Sequence, residues 1–156
     1  LPGADASDLP ELVEIEREYG TGALPCWPRR LALLGAPNPA EALRLSRDEA
    51  RTQDRIAQAL TMPAPAAAYR LGRASAAQAV LIRAARGDRP AFGWCHELAR
   101  GAGAKFPLTA RDLMPDLSGP ALGEALRRAE DAFVESDFTL PREALLRIAL
   151  QQEARA

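Results

Sequence analysis

The sequence predicts an all-α protein, an irregular array of short helices that ends in a helical hairpin. Apolar residues recur at three- and four-residue spacing, and no segment alternates with the two-residue period of a strand. The apolar content is mostly Ala and Leu, whereas Val and Ile, which favour strands, are sparse. Pro (13 residues) and Gly (11 residues) interrupt the helical patterns often, so each helix must be short.

Most helix signals are bounded by a capping residue, a Pro or a Gly. They predict helices at 9–19, 29–34, 47–60, 66–71, 74–86, 90–100 and 141–152, and a helix start at Asn38-Pro39. Ser46 and Glu49 have the spacing of a capping box. Helix 74–86 is apolar almost all round and is predicted to be the central, buried helix. Asp88 is expected to cap the helix after it, and Trp27 to anchor the broken connector before 29–34.

Gly101–Lys105 consists of Gly and Ala with one Lys and predicts a flexible joint. We therefore place a boundary there, between a helical body region at 1–104 and a helical tail region at 105–156.

The tail is predicted to form a helical hairpin. Thr109 is a good N-cap for a short helix at 110–114, and Asp112 is placed to reach back as in a capping box. Pro115 must end that helix, and the Gly-Pro pair at 119–120 starts a longer, amphipathic one. Four apolar residues share one face of the longer helix: Leu122, Leu126, Ala129 and Phe133.

Composition argues against several classes of function. The formal net charge is −1, so the chain is no basic nucleic-acid-binding arm, and any anion-binding surface must be local. Cys26 and Cys95 are isolated, and His96 has no Cys or acid at ligand spacing, so we expect no metal site. No apolar run approaches the ~20 residues of a membrane span. We expect a cytoplasmic protein with reduced thiols and no membrane partner.

One segment of the tail carries a specific pattern, FPLTARDL followed by GPALGEAL. It resembles the C-terminal segment of bacterial tRNA nucleotidyltransferases, the CCA-adding enzymes, and of the related poly(A) polymerases. Ala110 stands where that family usually has Gly. The matching residues are Phe106, Pro107, Leu108, Thr109, Arg111, Asp112, Leu113, Gly119, Pro120, Leu122, Gly123 and Leu126. Weaker similarity lies in the body, in PRRLALLG and AAAYRLGRASAAQAVLIRAARG.

The resemblance implies the body and tail of such an enzyme, which grip the acceptor stem and elbow of tRNA or another RNA 3′ end. In the family, a separate head domain carries an Asp-x-Asp pair that binds two metal ions, and a neck domain selects the nucleotide. This chain contains neither Asp-x-Asp nor the Glu-Asp-x-x-Arg motif of the neck. The catalytic head and neck are therefore expected to be absent, and the chain to be inactive alone. Mg and ATP or CTP are implied for that head, and no cofactor for this chain.

Four tail cations are candidate RNA contacts. Lys105 and Arg111 flank the N-terminus of the short helix, where free N–H groups and the helix dipole favour anions. Arg127 and Arg128 are expected on the outer face of the longer helix. The alternative for all four is helix capping and pairing within a helix, for example of Glu124 with Arg128.

Three arginines of the body form a further candidate surface. Arg47, Arg51 and Arg55 lie in one row, at steps of four along a helix. The row is either a ridge that faces phosphates or a solvated helix face with local pairs such as Asp48–Arg51 and Asp54–Arg51. The sequence leaves both interpretations open.

RNA binding by the C-terminal region of a nucleotidyltransferase is thus the predicted function. A helical protein–protein interaction module with no RNA partner is the alternative, supported by the near balance of acidic and basic residues. No Ser-His-Asp set, P-loop or paired-carboxylate site indicates an enzyme that acts on its own. The other expected partners are the parent head and neck domains and a second copy of the chain. Whether the parent adds CCA or poly(A) stays open.

Overall fold

The computed structural model describes residues 1–19, 26–114 and 116–151. The fold is all-α: within these ranges every regular element is a helix. The chain divides into two compact units, Leu1–Gly103 and Ala104–Ala156.

The first unit contains α1 to α7 among its described residues. Their bounds are α1 Leu9–Glu18, α2 Trp27–Leu33, α3 Pro39–Ala42, α4 Arg47–Ala59, α5 Ala64–Leu71, α6 Arg73–Ala85 and α7 Trp94–Gly103. Local signals set most of these bounds. The capping box before α4 is confirmed: the Ser46 hydroxyl accepts the Glu49 N–H at 3.3 Å, and the Glu49 carboxylate accepts the Ser46 N–H at 2.8 Å. Gly72 ends α5, as its sequence position predicts.

Helix α6 is the centre of this unit, as its nearly uniform apolar surface predicts. It faces two clusters of buried residues. The first cluster contains the larger side chains: Leu12 and Ile15 of α1, Leu33 of α2, Ile56 of α4, and Leu81 and Ile82 of α6. The second cluster is mostly alanine, with Ala59, Ala67, Ala68, Ala76, Ala79, Val80 and Leu98. Since α6 contributes to both clusters, it joins the two halves of the core.

Helices α5 and α7 approach so closely that one position tolerates only glycine. A Cβ placed on Gly101 would lie 2.1 Å from the carbonyl oxygen of Pro65, far inside van der Waals contact. The prediction that Gly101–Lys105 is a flexible joint is therefore wrong at its first residues. Gly101 is buried, and α7 continues to Gly103.

Helix α7 also begins four residues later than the sequence predicted. Gly93 has φ +86°, in the left-handed region, and this residue separates the chain at 90–92 from the helix. Asp88 therefore does not cap α7. Its N–H instead bonds the carbonyl of Arg83 at 3.0 Å, in the turn that ends α6.

Helix α2 is held by a charged group and not by its aromatic residue. Trp27, the predicted anchor, is 45% exposed at the first position of the helix. Arg29 is only 3% exposed, with its Nε 3.1 Å from Oε1 of Glu16, which is itself buried. Arg30 donates to the other carboxylate oxygen of Glu16 at 2.6 Å. One carboxylate on α1 thus pairs with two arginines of α2.

The second unit consists of α8 Ala110–Leu113, α9 Gly119–Glu135 and α10 Arg142–Leu150. Helices α9 and α10 pack against each other, and the short α8 contacts both. The buried residues of the unit are Leu108, Leu113, Leu117, Ala125, Ala129, Phe133, Leu145 and Ala149. The predicted start of α9 at the Gly-Pro pair is confirmed. Pro115, the predicted stop of α8, lies outside the described residues.

Aromatic contacts and a left-handed turn fix the end of α9. The Phe133 ring lies 5.8 Å from the Phe106 ring and 5.4 Å from the Phe138 ring, between centroids. The Phe138 N–H bonds the Phe133 carbonyl at 2.9 Å, with Asp137 at φ +57°. This is the bond pattern of a Schellman motif, which satisfies a free carbonyl at the helix end and turns the chain towards α10.

The contact between α5 and α7 predicts a large difference between two glycine substitutions in one helix. Gly101→Ala should lower the free energy of unfolding by at least about 2 kcal/mol, because the new methyl group meets backbone atoms that cannot rotate away. Gly103→Ala meets nothing within 4 Å, so it should be neutral or stabilise by up to about 1 kcal/mol. Urea denaturation followed by helical circular dichroism measures both. Equal effects of the two substitutions would contradict the close approach.

Candidate nucleic-acid interface

Lys105 and Arg111 lie on either side of the start of α8, and both side chains are exposed. From their positions in the sequence, a helix N-terminus was expected to strengthen their attraction for anions. However, α8 has only four residues. A helix that short has little macrodipole, and Asp112 already accepts the Thr109 N–H. Any attraction of phosphate here must therefore come from the two side chains themselves.

Asp112 organises this end of the second unit. Its Oδ2 accepts the Thr109 N–H at 2.7 Å and the Thr109 hydroxyl at 2.9 Å, which confirms the predicted backward reach of the carboxylate. Its Oδ1 accepts from Arg142, at the start of α10, at 2.5 Å. The Thr109 backbone bond, then the Thr109 hydroxyl and Arg142, hold the pKa of Asp112 below its ordinary value. Asp112 therefore ties α8 to α10 and is not available to a ligand.

The adjacent arginines of α9 have different surroundings. Arg127 is exposed, as predicted. Arg128 does not lie on the outer face: it is half-buried, and its Nη2 donates to the carbonyl of Ala149 at 2.8 Å. That carbonyl belongs to the last turn of α10, where carbonyls lack intrahelical partners. Arg128 is thus a structural side chain that joins α9 to α10, and the suggested pair with Glu124 is not what holds it.

The row of three arginines on α4 is exposed along its whole length. Arg51 lies 3.4 Å from Asp48, both on the surface, which confirms the local pair that the sequence suggested. Among the described residues, neither Arg47 nor Arg55 forms such an ion pair, and both side chains are accessible. The buried edge of α4 is Gln53, Ile56 and Ala59, on the other side of the helix.

Several other arginines serve the fold, which the sequence did not indicate. Arg83 donates to the carbonyl of Ala59, the last residue of α4, at 2.7 Å, and to that of Met62, just beyond the helix, at 2.9 Å. Arg86 donates to the carbonyl of Leu33 at the end of α2. Arg89 pairs with two carboxylates of α1, those of Glu11 at 3.1 Å and Glu18 at 2.8 Å. These contacts join residues 21 to 78 positions apart, so no local spacing signals them.

The candidate cations of the second unit lie in a segment that contains both acidic and basic side chains. Residues 104–156 contain nine acidic and seven basic residues, and two of the basic ones, Arg128 and Arg142, are used by the fold. Lys105, Arg111 and Arg127 are the candidates that stay exposed on this unit. The candidate cations of this unit therefore belong to a segment in which acids outnumber bases.

The described residues show neither a metal-binding cluster nor a membrane-spanning helix. Within them, no group of three or more His, Cys, Asp or Glu could hold a metal ion. Cys26 and Cys95 are free thiols, and His96 is exposed. In the part of the chain that the structure describes, no helix combines the length and the apolar surface needed to cross a bilayer.

Comparisons of this chain with family models, with curated proteins and with solved structures found no match. A functional assignment must therefore be argued from the residues and their geometry.

The contacts of Asp112 predict how the stability of the second unit depends on pH. Because its folded pKa lies below its unfolded value of about 3.9, its bonds stabilise the fold above that pH, and this stabilisation is lost as the pH falls through the folded value. Thermal melts between about pH 5 and pH 2 should show a smaller loss of melting temperature for Asp112→Asn than for the unchanged protein. The control Asp116→Asn removes an exposed acid of the same unit, and its melting temperature should fall with pH as steeply as that of the unchanged protein. The same pH dependence in both variants would contradict the role of Asp112.

The two arginines of α9 provide a matched pair for a stability test. Arg128→Ala should lower the free energy of unfolding by about 1–3 kcal/mol, because it removes a charge-assisted bond to the end of α10. Arg127→Ala should change it by less than about 0.5 kcal/mol, since the side chain is exposed. Urea denaturation measures both values. A larger effect of Arg127→Ala than of Arg128→Ala would show that Arg127, and not Arg128, is the structural side chain.

Proposed function

We propose that this chain is an RNA-binding region of a tRNA nucleotidyltransferase or poly(A) polymerase-like enzyme, and that it holds the acceptor stem and elbow of tRNA while another domain extends the 3′ end. The proposal starts from the pattern in the segment 106–126. It assigns nucleotidyl transfer, with its Mg and ATP or CTP, to a head domain outside this sequence.

The supporting observation is that the residues of this pattern have two different roles: some make contacts inside the fold, and a cation faces the solvent. Leu108 and Leu113 are buried, Phe106 contacts the buried ring of Phe133, and Asp112 joins two helices. These residues have internal roles that any chain with this local fold would need. Arg111 is the basic residue of the pattern, and it is exposed; Lys105 lies exposed just before the pattern. An exposed cation next to residues that fix the local fold supports a contact with an anionic ligand.

The physics of RNA recognition fits a helical scaffold with few cations. The deep, narrow major groove of an A-form duplex is inaccessible to side chains, so proteins recognise such RNA by its shape and by phosphate and 2′-hydroxyl contacts. A few cations at fixed positions suffice for that mode of binding. Lys105, Arg111 and Arg127 are the proposed phosphate contacts, whereas Arg128 supports the fold.

A salt series tests the proposal. Binding of fluorescently labelled tRNA, measured by anisotropy between about 20 and 200 mM salt, should weaken linearly in a log–log plot, with a slope near −0.9 per phosphate contact on a duplex. The triple variant Lys105→Ala/Arg111→Ala/Arg127→Ala should flatten the slope by about 2 to 3, because it removes three contacts. Absence of binding at the lowest salt, or a flat slope for the unchanged protein, would refute the proposal.

Two further triple variants separate local contacts from total charge. Arg17→Ala/Arg73→Ala/Arg100→Ala removes the same charge from exposed positions outside the candidates and should leave the slope nearly unchanged. Arg47→Ala/Arg51→Ala/Arg55→Ala tests the row on α4. If only the α4 triple flattened the slope, the contacts would lie on α4, and the assignment of the tail cations would be wrong.

A helical protein-interaction module is the second candidate, and one observation favours it. The side chain of Phe92 is fully exposed, at a position where burial of a large aromatic ring on a partner would be favourable. Self-association is one form of that function. Light scattering at increasing protein concentration distinguishes a self-associating chain from a monomer that binds a different partner.

A further inference from the structure

One arginine of the second unit is held at a fixed position and is accessible at the same time. Arg142 is the first residue of α10, and its Nη2 donates to Oδ1 of Asp112 at 2.5 Å. Its side chain is nevertheless 51% exposed. A guanidinium carries five N–H donors, and the described residues provide this one with no acceptor other than Asp112. Most of its donors are therefore available to a ligand.

The carboxylate that holds Arg142 is itself fixed. Oδ2 of Asp112 accepts the N–H of Thr109 at 2.7 Å and its hydroxyl at 2.9 Å, which leaves Oδ1 for Arg142. The side chain of Asp112 is 23% exposed, less than half the value for Arg142. The acid is thus the inner partner of the pair and the guanidinium the outer one. A long side chain that is already held loses less conformational freedom when it binds an anion.

The charges around Arg142 cancel, so they do not attract a polyanion from a distance. Arg111, the chain neighbour of Asp112 in α8, is exposed, and so is Glu143, which follows Arg142 in the chain. Two cations and two acids are therefore close in the sequence or in contact here. A contact of Arg142 with RNA must then be a direct bond at short range. Arginine suits such a bond, because its forked N–H groups match two oxygens of a phosphate.

We propose that Arg142 is a further phosphate contact of the RNA and that Asp112 is its positioning residue. The inference rests on the proposed function, and it adds a cation outside the segment 106–126 that carries the family pattern. The guanidinium of Arg142 bonds the residue that follows Arg111, so one stretch of RNA backbone serves both cations.

Binding of fluorescently labelled tRNA by the full chain tests the contact. Arg142→Ala should lower the affinity about fivefold at about 100 mM salt and reduce the log–log salt slope by about 0.9, the loss of one phosphate contact. Arg147→Ala removes the same charge from an exposed position of the same helix and should leave both values nearly unchanged. Arg142→Lys keeps the charge without the fork, so it should recover most of the slope but not all of the affinity.

Two substitutions of acids separate positioning from charge. Asp112→Asn and Glu143→Gln each remove one negative charge next to Arg142. Loss of an acid by itself favours a polyanion, so Glu143→Gln should bind tRNA equally or up to about twofold more tightly. Asp112→Asn should bind it about threefold more weakly, because Arg142 loses its fixed position. In the Arg142→Ala background, Asp112→Asn should cause no further weakening, since no arginine is left to position.

The outcomes separate this inference from the proposed function. Equal affinities and slopes of Arg142→Ala and Arg147→Ala, with salt-dependent binding by the unchanged protein, would overturn the phosphate contact and leave the proposed function standing. Weakening by Asp112→Asn in the Arg142→Ala background would show that Asp112 acts through the fold, and its positioning role would be wrong. No binding of tRNA by the unchanged protein at the lowest salt would refute the proposed function and this inference together.

Discussion

The close approach of helix backbones through small side chains is the constraint on which the first unit depends. At Gly101 the backbone of α7 meets the backbone of α5, with no room for even one methyl group. Alanines of α5 and α6 fill the rest of that side of the core, among them Ala67, Ala76 and Ala79. Dispersion contacts fall steeply with distance, so small residues at such an interface gain attraction by letting the backbones approach. The high Ala content of the sequence is therefore a packing requirement on one side of α6, while the other side uses Leu and Ile.

Short helices create a second requirement, which the arginines meet. Every helix ends in carbonyls that lack intrahelical partners, and a fold with many short helices has many such ends. Arg83, Arg86 and Arg128 donate to carbonyls at or just beyond the ends of α4, α2 and α10. A cation at a helix C-terminus also interacts favourably with the helix dipole. Several arginines thus serve helix ends, so the abundance of Arg is by itself poor evidence for a nucleic-acid partner.

Local signals in the sequence predict the fold class, most helix bounds, the central helix and the capping contacts of Ser46 and Asp112, because each depends on residues within a few positions. The wrong predictions have a common physical cause, a contact with a residue that is distant in the sequence. Gly101 looks like part of a joint until its neighbour Pro65, 36 positions earlier, is known. Arg128 and its exposed neighbour in α9 are indistinguishable by spacing, and only the end of α10 separates them. Candidate site residues could therefore be enumerated from the sequence, but only tertiary contacts sort the structural ones from the accessible ones.

The electrostatics of residues 104–156 restrict the kind of RNA contact that this unit can make. Acids outnumber bases there, so the unit exerts no general attraction on a polyanion, and distant phosphates are screened within about 10 Å at 0.1 M salt. In the proposed function, Lys105, Arg111 and Arg127 would act at short range, each on a phosphate that the shape of the RNA places next to it. Such contacts favour a folded RNA with fixed phosphate positions over a flexible single strand, which would have to be ordered at an entropic cost. The sparse charge that argues against a basic binding arm is thus compatible with recognition of a rigid duplex.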